Sequence, residues 1–127
     1  LVNNRKSGRW MSRMAECQML NGRYDVAEKY IDILSHSLFY RKWAENQRQY
    51  LRNDEAIASN PIYAYLRSVR YQSDFLYFYP EMDKMLAILY HQNNNNVMAA
   101  WYYKAWTALK KNETKDNETY TGNAHGN

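Results

Sequence analysis

Met11-Ser12-Arg13-Met14-Ala15-Glu16-Cys17-Gln18-Met19-Leu20 runs into Asn21-Gly22-Arg23 and on into Tyr24-Asp25-Val26-Ala27-Glu28-Lys29-Tyr30-Ile31-Asp32-Ile33-Leu34. Asn-Gly punctuates a chain, because Gly takes the left-handed conformation that ends a helix at no steric cost. Beyond it, Val26, Ala27, Tyr30, Ile31 and Leu34 recur at spacings of three and four, the period of a stripe buried along one helix face. The stretch therefore predicts two antiparallel helices, Met11 to Leu20 and Tyr24 to Leu34, joined by a short hinge.

Upstream, Leu1 to Gly8 is polar and is expected to be a flexible segment, with Trp10 packing on the hairpin. Downstream, Ser37 is placed to cap a third helix from about Leu38 to Asn53, with Leu38, Phe39 and Trp43 on one face. A helix running through Ser35-His36-Ser37 is the alternative. Glu45 and Arg48 stand three apart, a spacing that allows an ion pair. Asn53 to Asn60 reads as a connector or a short helical turn. Asn60-Pro61 is a start signal, a capping side chain followed by Pro at the first helical position. Ile62, Tyr65, Leu66 and Val69 then form the stripe of a fourth helix that fades near Tyr71 to Ser73. The run Asp74-Phe75-Leu76-Tyr77-Phe78-Tyr79 is read as an aromatic loop. Pro80 restarts a helix lined by Met82, Met85, Leu86, Leu89 and Tyr90.

Asn93-Asn94-Asn95-Asn96 is the second hinge, and Val97 to Lys111 the last helix. Ala99, Tyr103 and Trp106 echo the spacing of Ala27, Ile31 and Leu34, which hints at a second, diverged hairpin. Residues 9–111 are expected to form a single helical domain, and 112–127 a polar, disordered tail. Its core should include Met14, Ala27, Ile31, Leu34, Phe39, Trp43, Leu66, Val69, Met85, Leu86, Leu89 and Trp101.

Composition agrees with helices. Hydrophobic residues make up 46% of the chain, enough for a core in 127 residues, while 4 Gly and 2 Pro are too few for a turn-rich sheet protein. No apolar run approaches the roughly 20 residues of a membrane span. The chain opens on Leu1-Val2 without Met or a signal peptide's apolar stretch, and it is read as a fragment or processed product whose compartment stays unknown.

Gly22, Tyr24, Ala27, Ile31 and Leu34 resemble the second half of a tetratricopeptide repeat, which places Gly, Tyr, Ala, an aromatic and Ala at those spacings. The first half departs from it, with Met11, Met14, Ala15 and Gln18 where the family has Trp, Leu, Gly and Tyr. The resemblance implies an α-α superhelix, and the residue patterns along the chain predict an all-α fold of antiparallel helical hairpins with five or six helices. An ordinary helix pair is the other reading of the same residues. The words Ala27-Glu28-Lys29-Tyr30, Leu34-Ser35 and Leu38 to Ala44 also resemble uncharacterised proteins of gut Bacteroides-type bacteria. That family implies a multi-span membrane region ahead of a soluble helical one, and hence a possible fragment of a membrane protein. It offers no catalytic residue to carry over.

The residues offer little chemistry. His36, His91 and His125 are scattered and Cys17 stands alone, so no metal-ligand spacing arises and no cofactor is expected. There is no Gly-rich phosphate loop. Cys17 is expected as a buried or half-buried structural thiol, and His91 as a helix C-terminal cap. An enzyme is not expected. A protein-interaction or scaffolding module is, its partner being another protein or a missing segment of the parent chain. A purely structural helical module explains the same residues. On the last helix, Tyr102 and Trp106 lie four apart and are the candidate partner-facing pair. The rival is nucleic-acid binding through Arg67 and Arg70, favoured only by a mild net charge of +4.

Overall fold

A computed structural model of the chain describes residues 5–72 and 79–126, with the side chains of 8–72 and 79–111. Among them run seven helices and no strand: α1 (Arg5–Leu20), α2 (Tyr24–Ser35), α3 (Arg41–Arg48), α4 (Asp54–Ser59), α5 (Pro61–Gln72), α6 (Glu81–Gln92) and α7 (Asn96–Gly126). The fold is all-α and built from paired helices in a helical-repeat-like arrangement. It forms two compact units, Leu1–Phe78 carrying α1 to α5 and Tyr79–Asn127 carrying α6 and α7.

In the first unit α1 packs on α2, α2 on α3, and α4 on α5. Met11, Ala15 and Met19 recur every fourth residue on α1 and are buried against this core. Ala27, Ile31 and Leu34 of α2 and Trp43 and Ala44 of α3 are all fully enclosed. Gly22 has φ +74° and turns the chain into α2. The Arg23 N–H donates back to the Gln18 carbonyl at 2.8 Å and the Gly22 N–H to that of Met19 at 3.1 Å, which satisfies carbonyls left open at the end of α1. Trp10 meets Tyr30 edge to face, 5.7 Å between ring centroids. The Tyr24 hydroxyl donates to Asp54, tying α2 to α4. Burial, and then that hydrogen bond, push its phenol up to about 12.

The second unit repeats this hinge atom for atom. Asn94 has φ +63°, the Asn95 N–H donates to the Tyr90 carbonyl at 2.9 Å, and the Asn94 N–H to that of His91 at 3.1 Å. Asn adopts the left-handed region more readily than other residues bearing a side chain, so it stands in for Gly here. The neighbouring asparagines divide the remaining tasks. Asn93 Nδ2 donates to the Leu89 carbonyl at 2.7 Å, and Asn95 Oδ1 accepts from the Met98 N–H at 3.1 Å as the N-cap of α7. A constant offset of 72 residues thus carries Leu20 to Gln92, Gly22 to Asn94 and Tyr24 to Asn96.

Several boundaries differ from expectation. Helix α1 begins at Arg5, within the segment expected to be flexible. Gly8 lies within it: a Cβ there would stand 2.5 Å from the Tyr40 ring, so the missing side chain gives Tyr40 its seat. Helix α3 is shorter than Leu38 to Asn53, because the chain turns after Arg48 and Arg52 adopts φ +59°. Arg48 does not close locally on Glu45. It reaches Asp32 of α2 at 2.9 Å, while Arg52 reaches Asp25 at 2.7 Å and Glu28 at 3.3 Å. Residues 53–60 resolve into α4, where Asn53 Oδ1 accepts from the Ala56 N–H at 3.1 Å. Asn60 caps α5 as expected, accepting from the Ile62 N–H at 2.8 Å. Helix α7 continues past Lys111 to Gly126, through residues with no apolar stripe to mark them. The aromatic loop expected at Asp74 to Phe78 lies outside the described residues.

Of the expected core, Ala27, Ile31, Leu34, Trp43, Leu66, Leu86 and Trp101 are buried, and Met14, Phe39, Val69 and Leu89 are half-buried. Met85 is not core: it is 40% exposed, on a face of α6 that no element of its unit covers. Ala27, at 0% exposure on the side of α2 that meets its neighbours, leaves no room for growth. Ala27→Leu is expected to destabilise the protein by about 1–3 kcal/mol through overpacking. An unchanged midpoint in chemical denaturation would show that the crossing tolerates a larger side chain.

Candidate interaction surface

The second unit is a two-helix hairpin, and two helices cannot cover each other on every side. Helix α7 is apolar around most of its circumference from Val97 to Leu109. One side closes on α6: Tyr102 stacks on Tyr90 at 5.3 Å and 13° between planes, with Trp101 edge-on to Tyr102 at 4.8 Å. Leu86, Met98 and Ala105 are buried alongside. The other side stays open. Lys84, Ala87, Ile88, His91 and Gln92 of α6 face Asn96, Ala99, Ala100 and Tyr103 of α7 across a groove of about 610 Å³. Ile88 is 41% and Tyr103 55% exposed.

Trp106 extends the groove's aromatic wall. Its ring lies 5.5 Å from that of Tyr103, with the Lys84 ammonium 5.0 Å from its centroid. Its indole N–H donates to Glu81 at 3.4 Å, and Lys110 sits 3.0 Å from the same carboxylate. The hydrogen bond from Lys110, and then that from Trp106, hold the Glu81 carboxyl below the usual carboxylate range. The His91 ring nitrogen Nδ1 lies 3.1 Å from Asn96 Oδ1, closing the hinge end.

The offset of 72 residues gives this groove a counterpart in the first unit. Ala87, Ile88 and His91 correspond to Ala15, Glu16 and Met19, and Ala99 and Tyr103 to Ala27 and Ile31. Those five residues of the first hairpin are all buried. There α3 packs on α2, and the Tyr63 hydroxyl of α5 reaches Met19 Sδ at 3.8 Å and Gln47 of α3. The same face is covered in one hairpin and open in the other.

The residues expected at a site fall differently. Tyr102 and Trp106 do not form an exposed pair: Tyr102 is 1% exposed and part of the α6–α7 seam, while Trp106 is half-buried on the groove side. Tyr103, one position on, is the exposed aromatic. Arg67 is exposed on α5, whereas Arg70 turns inward and its guanidinium contacts Cys17 Sγ, so the two do not present one cationic face. Cys17 is buried, as expected. Among the described residues no three His, Cys, Asp or Glu side chains gather as a metal site requires. Sequence reasoning missed Lys84, Ile88 and His91. The echo of Ala27, Ile31 and Leu34 in Ala99, Tyr103 and Trp106 held the signal, and carrying it back across the hinge onto α6 finds them.

A family model covers residues 1–125. The chain belongs to the family of unknown function DUF6057. That membership corrects the tetratricopeptide resemblance. Tetratricopeptide-like describes how the helices of this DUF6057 chain pair, not the family it comes from. The Bacteroides-type resemblance implied a multi-span membrane region, yet no helix among the described residues is long and apolar enough to cross a membrane. The described residues thus do not bear out the reading as a fragment of a membrane protein. Comparison with curated proteins and with solved structures gives no match for the DUF6057 chain.

Proposed function

We propose that the chain is a non-catalytic protein-interaction module that binds through the open groove of its second hairpin. The observation that supports this reading most is the exposure of Ile88 and Tyr103 beside Ala99 and Ala100, on a face whose counterpart in the first hairpin is buried. Interaction surfaces draw on such aromatic and aliphatic anchors with a polar rim. Lys84, His91 and Asn96 supply that rim here.

The test uses Ile88→Asp and Tyr103→Ala, both at exposed positions where the fold should survive. Helical content and denaturation midpoint are expected to match the wild type, with partner recovery from the source cell falling at least tenfold. A folded double variant that keeps every partner would rule out the groove as the binding surface. If wild type and variant alike recover none, the chain is a structural module instead. Nucleic-acid binding through Arg67 and Arg70 is the weaker reading, since Arg70 is engaged with Cys17. A salt titration with a generic oligonucleotide separates it, because phosphate contacts weaken steeply with salt.

A further inference from the structure

We infer that the partner of this groove is an amphipathic helix, seated on α6 and α7 much as α3 is seated on α2, and carrying a carboxylate opposite Lys104. The inference rests on the interaction reading above and names its ligand class. Its basis is a comparison of the two hairpins at their common offset.

On the first hairpin, the chain covering α2 is basic and is fastened by acids along the edge of that helix. Arg48 of α3 pairs with Asp32, and Arg52, just beyond α3, pairs with Asp25 and Glu28. Moved on by 72 residues, Asp25 becomes Val97, Glu28 becomes Ala100 and Asp32 becomes Lys104. The acidic edge is gone. Two of its positions are apolar and the third has reversed its charge. A basic helix such as α3 would bring Arg against Lys104, and like charges at a shared contact select against that partner. A helix with an acid at the same place would restore the pair with its polarity inverted. The groove supports the same sign, since its rim carries Lys84 and no carboxylate stands among its lining residues.

The groove also has the dimensions of a helix seat. Along α6 it runs from Lys84 to Gln92, and along α7 from Asn96 to Tyr103, about two helical turns on each side. Its floor of Ala87, Ala99 and Ala100 admits close approach, and Ile88 and Tyr103 form its walls. An apolar stripe at i, i+3, i+4 and i+7 on the incoming helix matches two such turns.

Two designed 18-residue helical peptides test this, sharing one leucine stripe and differing only in Glu or Lys along its edge. Binding to the full chain is read by fluorescence anisotropy at low and moderate salt. The Glu peptide should bind wild type at least tenfold more tightly than the Lys peptide, with the difference shrinking as salt rises. Lys104→Asp should abolish or invert that preference, and Ile88→Asp should remove binding of both. Equal affinities, a preference for the Lys peptide, no binding of either, or an unchanged preference in Lys104→Asp would each overturn the inference. If any of these occurs while Ile88→Asp still loses the cellular partner, the groove remains an interaction surface and only its ligand class is wrong.

Discussion

Trp43→Ala is expected to lower stability by about 3–5 kcal/mol, the largest effect of any single truncation in the first unit. The indole is fully enclosed, and the Tyr40 ring meets it edge to face with centroids 6.3 Å apart. It lies on α3, the helix that packs on α2, where Ile31 and Leu34 are fully buried as well, so its removal opens a void in this core. Its Nε1–H is buried without a hydrogen-bond acceptor among the described residues. An unpaired buried donor opposes folding, so Trp43→Phe removes a cost along with some volume. The phenylalanine variant should therefore lose far less than the alanine variant. Urea denaturation of all three proteins decides it: equal losses for Phe and Ala would mean that the indole's edge, not the ring as such, holds the core.

A comparable loss, about 3–5 kcal/mol, is expected for Glu16→Leu. Arg13 and Glu16 sit one turn apart on α1 and are 1% and 0% exposed. Arg13 Nη1 donates to both carboxylate oxygens, at 2.8 and 2.9 Å. Taking both charges out of water is costly, and their mutual attraction offsets much of that cost only while both are present. Leucine at position 16 removes the carboxylate that Arg13 Nη1 holds at both oxygens. The double variant Arg13→Met, Glu16→Leu removes both charges and should be more stable than Glu16→Leu alone. A double-mutant cycle by chemical denaturation measures the coupling, and strict additivity would show that the two side chains do not depend on each other.

The hinges were legible because their chemistry is local. Asn21-Gly22 and the Asn run announce turns, and hydrogen bonding at both confirms why those residues stand there. Asn60-Pro61 is legible for the same reason. What the sequence hides is which apolar side of a helix its own chain will cover. Tyr102 and Tyr103 are identical side chains at adjacent positions, and only the crossing of α6 decides that the first is buried and the second exposed. Met85 fails as core on the same ground, since a stripe pattern assumes a neighbour that this hairpin lacks. Arg13 and Glu16 were opaque for the opposite reason. Charged residues three apart are the pattern of a solvated helix face, and tertiary packing enclosed them regardless. The groove was half legible, through the spacing shared by α2 and α7.

The most extensive helix packing within each unit joins helices consecutive in the chain: α1 with α2, α2 with α3, α4 with α5, α6 with α7. Closing such contacts requires only short loops, so little chain entropy is lost before packing begins to compensate. Topologies of this kind fold fast, on the order of microseconds to milliseconds. Each hairpin can nucleate where its own hinge forms, without waiting for distant segments to meet. The groove between α6 and α7 is thus assembled within the span from Lys84 to Tyr103, and it is ready to receive a helix as soon as its two walls have closed.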